Sequence, residues 1–264
     1  HSLSVELYLN LKKTVEQNAA EYFERSKKFK SKAKGAEEAI SRLSLQLLKV
    51  EKDDAKRLIA QPPRKPVLQR PLAWFEKFRW FRSSEGFLCI GGRDSSTNEI
   101  VIKKHTDKED IVFHTDAPGS PFFVIKTEGK KAGETTLRET AVATASYSSG
   151  WKLGVAVMDV FWVTPEQVSK EAAAGEFIAK GAFMVRGKRN TLSVSLGLAV
   201  GVTDDNLVMG GPESAVRKHC AKVVRIVQGS EKSSDCAKAI QKMIGGELDD
   251  IQRVLPAGGC AVLK

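Results

Sequence analysis

No stretch of apolar residues in this 264-residue chain approaches the roughly 20 that a membrane-spanning helix needs. No CxxC pair exists among its four cysteines, Cys89, Cys220, Cys236 and Cys260, which lie far apart and so argue against a zinc site. Thiols spaced in this way fit a reducing, cytoplasmic compartment, free and mostly buried. No Gly-Lys-Ser/Thr follows Gly91-Gly92-Arg93-Asp94, which rules out a phosphate-binding P-loop there. A cysteine nucleophile needs an identifiable histidine partner. Cys89 sits in an apolar run and Cys220 merely follows His219. No signal peptide is visible, and the chain opens on His1 rather than Met, as a fragment or a tag remnant does. The expectation is a chain without catalytic residues, cofactor or membrane partner. His105, Asp107, His114 and Asp116 are types that hold zinc or iron. Strand alternation with an undefined turn does not place them on one face, so a metal-dependent hydrolase stays a last alternative.

What is present is an ordinary globular composition, 42% hydrophobic and 28% charged, long enough for one or two domains. The net charge is +10 and uneven: residues 1–70 hold 16 basic and 9 acidic side chains, the remainder 26 and 23. An excess of this size favours a polyanionic partner such as nucleic acid.

The densest pattern runs from Trp74 to Lys104, WFEKFRWFRSSEGFLCIGGRDSSTNEIVIKK. Trp74, Phe75, Phe78, Trp80 and Phe81 crowd its start, interleaved with Lys77 and Arg79. Aromatic and β-branched residues favour strands, and Ser83-Ser84-Glu85-Gly86 reads as the turn of a hairpin. Ile100-Val101-Ile102 reads as a further short strand.

Around it, residues 5–11 alternate as a strand. Thr14 and Gln17 form a capping box that opens a charged helix reaching about Ala60. Gly35 stands alone within it, so a continuous helix is favoured over a hairpin. Prolines 62, 63, 66 and 71 make a stiff basic linker. Beyond it, strands are expected at 110–114, 122–126, 155–164, 182–185, 192–202 and 222–227, with a turn at 118–121. Helices are expected at 135–149, 232–244 and 247–254, before a short terminal strand. The fold class is α+β: a long N-terminal helix of coiled-coil type, then a mixed, mostly antiparallel β-rich domain with a few helices. The segments are 1–61, the linker 62–73, and 74–264 with a C-terminal extension from about 204.

The run from Trp74 to Asp94 resembles the signature of the NFACT-R domain of the NFACT family, the NEMF- and RqcH-like ribosome quality-control factors. VSKEAAAGEFIAKGAFMVRGKRN, residues 168–190, is similar to a second signature of that domain, and NAAEYFERSKKFK, residues 18–30, to the start of a helix in the family's coiled-coil middle region. The extension from about 204 has an archaeal character within the family. The resemblance implies the RNA-binding portion of a factor that binds stalled large ribosomal subunits carrying peptidyl-tRNA and supports tRNA recruitment for mRNA-independent tailing, without covalent chemistry of its own. Its implied partners are large-subunit rRNA and tRNA, ribosomal proteins through the long helix, and a second copy of the chain. The alternative is a protein-interaction scaffold working through that helix.

Charge, turn position and the matched motifs select the RNA-contact candidates. Arg79, Arg82, Arg93, Lys103, Lys104, Lys170, Arg186, Lys188 and Arg189 are expected to neutralise phosphates. Asn98 and His114 are expected to bond ribose or base edges. Gly92 and Gly187 are expected to let the backbone approach the ligand.

Overall fold

The computed structural model describes residues 8–60, 72–170 and 180–263, residues 50–60 by their helical backbone alone. The chain divides into two compact units, residues 1–70 and 71–264. The linker expected at 62–73 lies outside the described residues except for its last two.

The first unit is helix α1, Val15–Ala60, 46 residues long and unbroken at Gly35. The capping box forms as expected: Gln17 N donates to Thr14 Oγ1 at 3.3 Å and Thr14 N donates to Gln17 Oε1 at 3.0 Å. Residues 8–13 are not a strand but a turn folded onto the start of α1. Buried Asn18 fixes it, accepting Asn10 N at 2.8 Å and donating to the carbonyls of Asn10 and Thr14 at 3.1 and 2.9 Å. The Tyr22 hydroxyl adds bonds to both backbone groups of Tyr8. The first part of the expected strand lies outside the described residues.

The second unit begins with strands β1 (Arg79–Arg82) and β2 (Leu88–Gly91), the expected hairpin, closed by a turn in which Gly86 has φ +91°. Helix α2 (Ser95–Lys104) follows, then β3 (Ile111–His114), β4 (Phe123–Lys126), helices α3 (Glu134–Ser146) and α4 (Ser149–Leu153), and β5 (Val157–Val163). A 3₁₀ turn at Pro165–Gln167 leads into the short strands β6 (Val168–Ser169) and β7 (Met184–Val185). The remainder is β8 (Asn190–Ser195), β9 (Leu198–Thr203), β10 (Val208–Gly211), α5 (Glu213–His219), β11 (Cys220–Glu231), α6 (Ser233–Ile244), α7 (Leu248–Val254) and β12 (Cys260–Leu263).

Six strands form one antiparallel sheet in the order β1-β2-β4-β3-β5-β8. Four form a second, also antiparallel, in the order β10-β9-β11-β12. β6 and β7 pair only with each other among the described residues. Most of the C-terminal extension is therefore a sheet built onto β9.

The sequence reading needs three corrections here. Residues 100–102 are helical, because Asp94 Oδ1 accepts Thr97 N at 2.8 Å and Thr97 Oγ1 accepts Asp94 N at 2.9 Å, a capping box that starts α2 and overrides the β-branched run. The apolar stretch 192–202 is two strands in two different sheets. The chain crosses between them at Leu196-Gly197, where Gly197 N donates to the Ser146 hydroxyl at 3.0 Å. The helix read over 135–149 stops at Ser146, and Ser148 caps α4 by accepting Gly150 N at 3.1 Å. β10 and α5 had no counterpart in that reading.

Side chains alternate across a strand, so the six-stranded sheet has two distinct faces. On one lie Phe81, Cys89 and Phe123, packed toward α3: the Cys89 thiol meets Thr140 Oγ1 at 3.4 Å and the Phe123 ring stacks on Tyr147 at 6.0 Å. On the other lie Trp80, Ile90, Val124 and Val112, in register across four strands. This second face carries α2, whose Val101 is fully buried in the core. All four cysteines are buried and free, as expected.

Candidate nucleic-acid interface

The sequence candidates fall into two groups on opposite faces of the six-stranded sheet. Arg79 is two residues from Phe81 and so points to the α3 face. Its guanidinium lies 4.0 Å over the Tyr147 ring and donates to the Leu255 carbonyl at 3.2 Å. Arg93 donates to the Arg253 carbonyl at 3.0 Å, and the Tyr147 hydroxyl donates to the Val254 carbonyl at 2.7 Å. Three successive carbonyls at the end of α7 thus receive three side-chain donors, the role of a helix C-cap. Burial lowers the pKa of Arg79, with the charge of Arg93 a lesser cause. Burial and the neighbouring Arg253 lower that of Arg93. Arg79 is tied into the fold, and half-buried Arg93 is held against the end of α7, so each has an internal partner besides any phosphate.

The second group lies along the α2 face. Lys170 pairs with Glu99 of α2, which also takes Lys103 at 3.5 Å. The Lys170 ammonium sits 5.7 Å over the Phe183 ring. Phe183 packs edge-on against Phe122 at 5.4 Å, and Phe122 stacks on His114 at 4.0 Å. His114 is paired across strands with Phe161, whose ring carries Arg189 at 4.4 Å, and Arg189 reaches Asp116 at 2.8 Å. Lys103, Lys170, His114 and Arg189 therefore belong to one continuous line of aromatic and charged contacts. Lys103, Lys104, Arg186, Lys188 and Arg189 are exposed along or beside it.

Three other candidates in this region have internal roles. Asn98 is buried, and its Oδ1 accepts Phe122 N at 3.1 Å. Gly92 donates its N–H to the Phe122 carbonyl at 3.1 Å, and a Cβ there would land on the Asn98 side chain. Gly92 serves this close approach. His114 Nε2 bonds the Ser120 carbonyl at 3.2 Å, and burial pushes its imidazole down to about 4, so it is neutral at pH 7.

The Arg186-Gly187-Lys188 turn owes its shape to a residue that sequence reasoning did not select. Gln167 Nε2 donates to the carbonyls of Arg186 and Lys188 at 2.8 and 2.9 Å, while its Oε1 accepts Thr164 N at 3.1 Å. Gly187 adopts φ +85°, which only glycine adopts cheaply. The turn is thereby fixed with Arg186 and Lys188 directed outward and exposed. A Thr-Pro-Glu-Gln run is a capping-box pattern, and that was the available signal.

Residues 77–187 match the family model described as the NFACT protein RNA binding domain. The chain belongs to the NFACT family. It is 42% identical over 207 residues to the archaeal Rqc2 homolog aRqcH of Methanocaldococcus jannaschii, covering 76% of this chain and 31% of that protein. It is 37% identical over 183 residues to the human ribosome quality control complex subunit NEMF, covering 69% of this chain and 16% of that protein. Against the solved C-terminal part of the fibronectin/fibrinogen-binding protein of Streptococcus suis, identity is 17% and the TM-score 0.39, over 73% of this chain and 78% of that one, and nothing further rests on that likeness. The chain spans about a third or less of these NFACT relatives' length. Within the NFACT match lie α2, Gln167 and the first two residues of the turn that Gln167 holds. No helix among the described residues is long and apolar enough to cross a membrane.

Proposed function

We propose that this chain is the RNA-binding portion of a ribosome-associated quality-control factor. It engages large ribosomal subunits obstructed by peptidyl-tRNA and supports recruitment of tRNA for mRNA-independent C-terminal tailing. It performs no covalent step itself. The observation that supports this reading is the exposed cationic border of the α2 face, Lys103, Lys104, Arg186, Lys188 and Arg189, the first three inside the segment matched to an RNA-binding domain and the last two directly after it. Arginine and lysine held on a rigid sheet neutralise phosphates without ordering long loops first. The test is co-sedimentation with purified large subunits, with and without peptidyl-tRNA, over rising salt. Binding that weakens steeply with salt and is stronger with the peptidyl-tRNA supports the reading. No binding at low salt overturns it.

A second reading is favoured by α1, whose Val15, Phe23, Ile40, Leu43 and Leu47 are 59–79% exposed. An apolar face of this length serves as a contact for ribosomal proteins or for a second copy of the chain. Light scattering distinguishes the two, since self-association through α1 doubles the mass and subunit binding does not.

A further inference from the structure

Trp74 opens the aromatic run of the second unit, and it is 46% exposed. One face of its ring is covered by His105, the C-cap of α2, stacked at 4.7 Å and 14°. Phe75 and Phe78 meet it edge-on. The ring is thus rigidly held on one side and open on the other, and it lines a cleft of about 280 Å³. Phe75, Phe87 and Leu88 form the apolar wall, and Arg82, Lys126 and Lys130 stand at the rim.

The charges around the cleft are unequal in availability. Lys126 is committed to Asp107, Asp110 and the His105 carbonyl. Glu85 is committed to the start of α3, where it accepts from Gly133 N and Thr136 N, each at 3.1 Å. Glu128 is the one acidic lining residue without such a commitment among the described residues. Arg82 and Lys130 form no ion pair among the described residues, and neither does Lys104 beside His105. What remains is an exposed indole face, an apolar wall and a net cationic rim.

We infer that the Trp74 cleft is a stacking site for a single unpaired RNA base, with Arg82, Lys130 and Lys104 receiving its flanking phosphates. An aromatic platform beside backbone-neutralising cations is the arrangement by which single-stranded nucleic acid is held without sequence readout. The cleft is close to the smallest pockets that hold small ligands, about 300 Å³. This site rests on the RNA-binding reading and adds to it a preference for unpaired nucleotides, separate from the Gln167-held turn.

The test compares a short oligoadenylate with a blunt RNA duplex of equal phosphate number, by anisotropy, against the unaltered chain, Trp74→Ala, Trp74→Phe and the Arg82→Glu/Lys130→Glu pair. Trp74→Ala should weaken oligoadenylate binding about tenfold while leaving the duplex unchanged, and Trp74→Phe should retain most of it. The charge-reversed pair lies on exposed positions and should weaken oligoadenylate binding at undiminished thermal stability. Unchanged oligoadenylate affinity in Trp74→Ala or in the charge-reversed pair overturns the stacking site alone. Equal loss for both RNAs in Trp74→Ala overturns it too. If the unaltered chain binds neither RNA, the RNA-binding reading fails together with it.

Discussion

Arg79 lies 4.0 Å over the ring of Tyr147, and both side chains donate to carbonyls at the end of α7, Leu255 and Val254 respectively. An arginine that sequence position marks as a nucleic-acid contact is instead a structural tie between the first hairpin and a helix near the C-terminus. Removing it leaves a carbonyl without its donor and an aromatic face without its cation. Arg79→Ala should therefore destabilise the fold by about 1–3 kcal/mol. Urea denaturation checks this. RNA affinity of the folded variant should stay within about twofold of the unaltered chain, because Arg79 faces away from the cationic border.

Gly92 and Asn98 form a second coupled pair. Asn98→Ala strands the buried Phe122 N–H and should cost about 1–3 kcal/mol. Gly92→Ala drives a methyl group into the Asn98 side chain and should also destabilise. The double variant should cost less than the sum, since the smaller residue at 98 removes part of the clash. A double-mutant cycle by chemical denaturation measures the coupling. Strict additivity contradicts the close approach.

The pH dependence has a defined sign. The His114 pKa falls from an ordinary 6.5 to about 4 on folding, mainly through burial. Between those values the unfolded chain binds a proton that the folded chain does not. Its contribution to stability is full above pH 6.5 and is lost as pH drops toward 4. Asp94, Asp107 and Glu85 have lowered pKa values through hydrogen bonds, to Thr97, Lys126 and Thr136 respectively, and their contributions are lost only at lower pH. Thermal melts from pH 8 to 4 should show the His114 loss, with the carboxylate losses following below pH 4, and His114→Gln should flatten the decline above pH 4.

Gln167 positions the Arg186-Gly187-Lys188 turn without carrying charge. Gln167→Leu should weaken RNA binding severalfold while leaving the salt dependence almost unchanged. Replacing Arg186 and Lys188 by glutamine should weaken binding and reduce the slope by about 2. Filter binding over a salt series separates the two effects.

These relationships also show where the sequence was readable. The β1–β2 hairpin followed from two aromatic or apolar runs around Ser83–Gly86, and α1 from its capping box and the isolation of Gly35. Both depend on neighbours in the chain. α2 was hidden because the capping box at Asp94–Thr97 competes with a run of β-branched residues, and local propensity alone favours the wrong winner. The fate of Arg79 was not legible, since its carbonyl partner is 176 residues away. Gly92 announced a close approach but not its object, which is the chain's own Asn98. Lys103, Lys104, Arg186 and Lys188 are exposed.

The measurement closest to the main claim is the affinity of the chain for a structured RNA at several salt concentrations, with the exposed cations of the α2 border replaced in turn. The account predicts a steep linear fall of log K with log salt, of slope about −4 for five phosphates neutralised. It also predicts that Lys103, Lys104, Arg186, Lys188 and Arg189 each carry about 0.8 of it, and Arg79 and Arg93 none. A slope near zero, or a slope that depends on Arg79 and Arg93 rather than on the border residues, would contradict it.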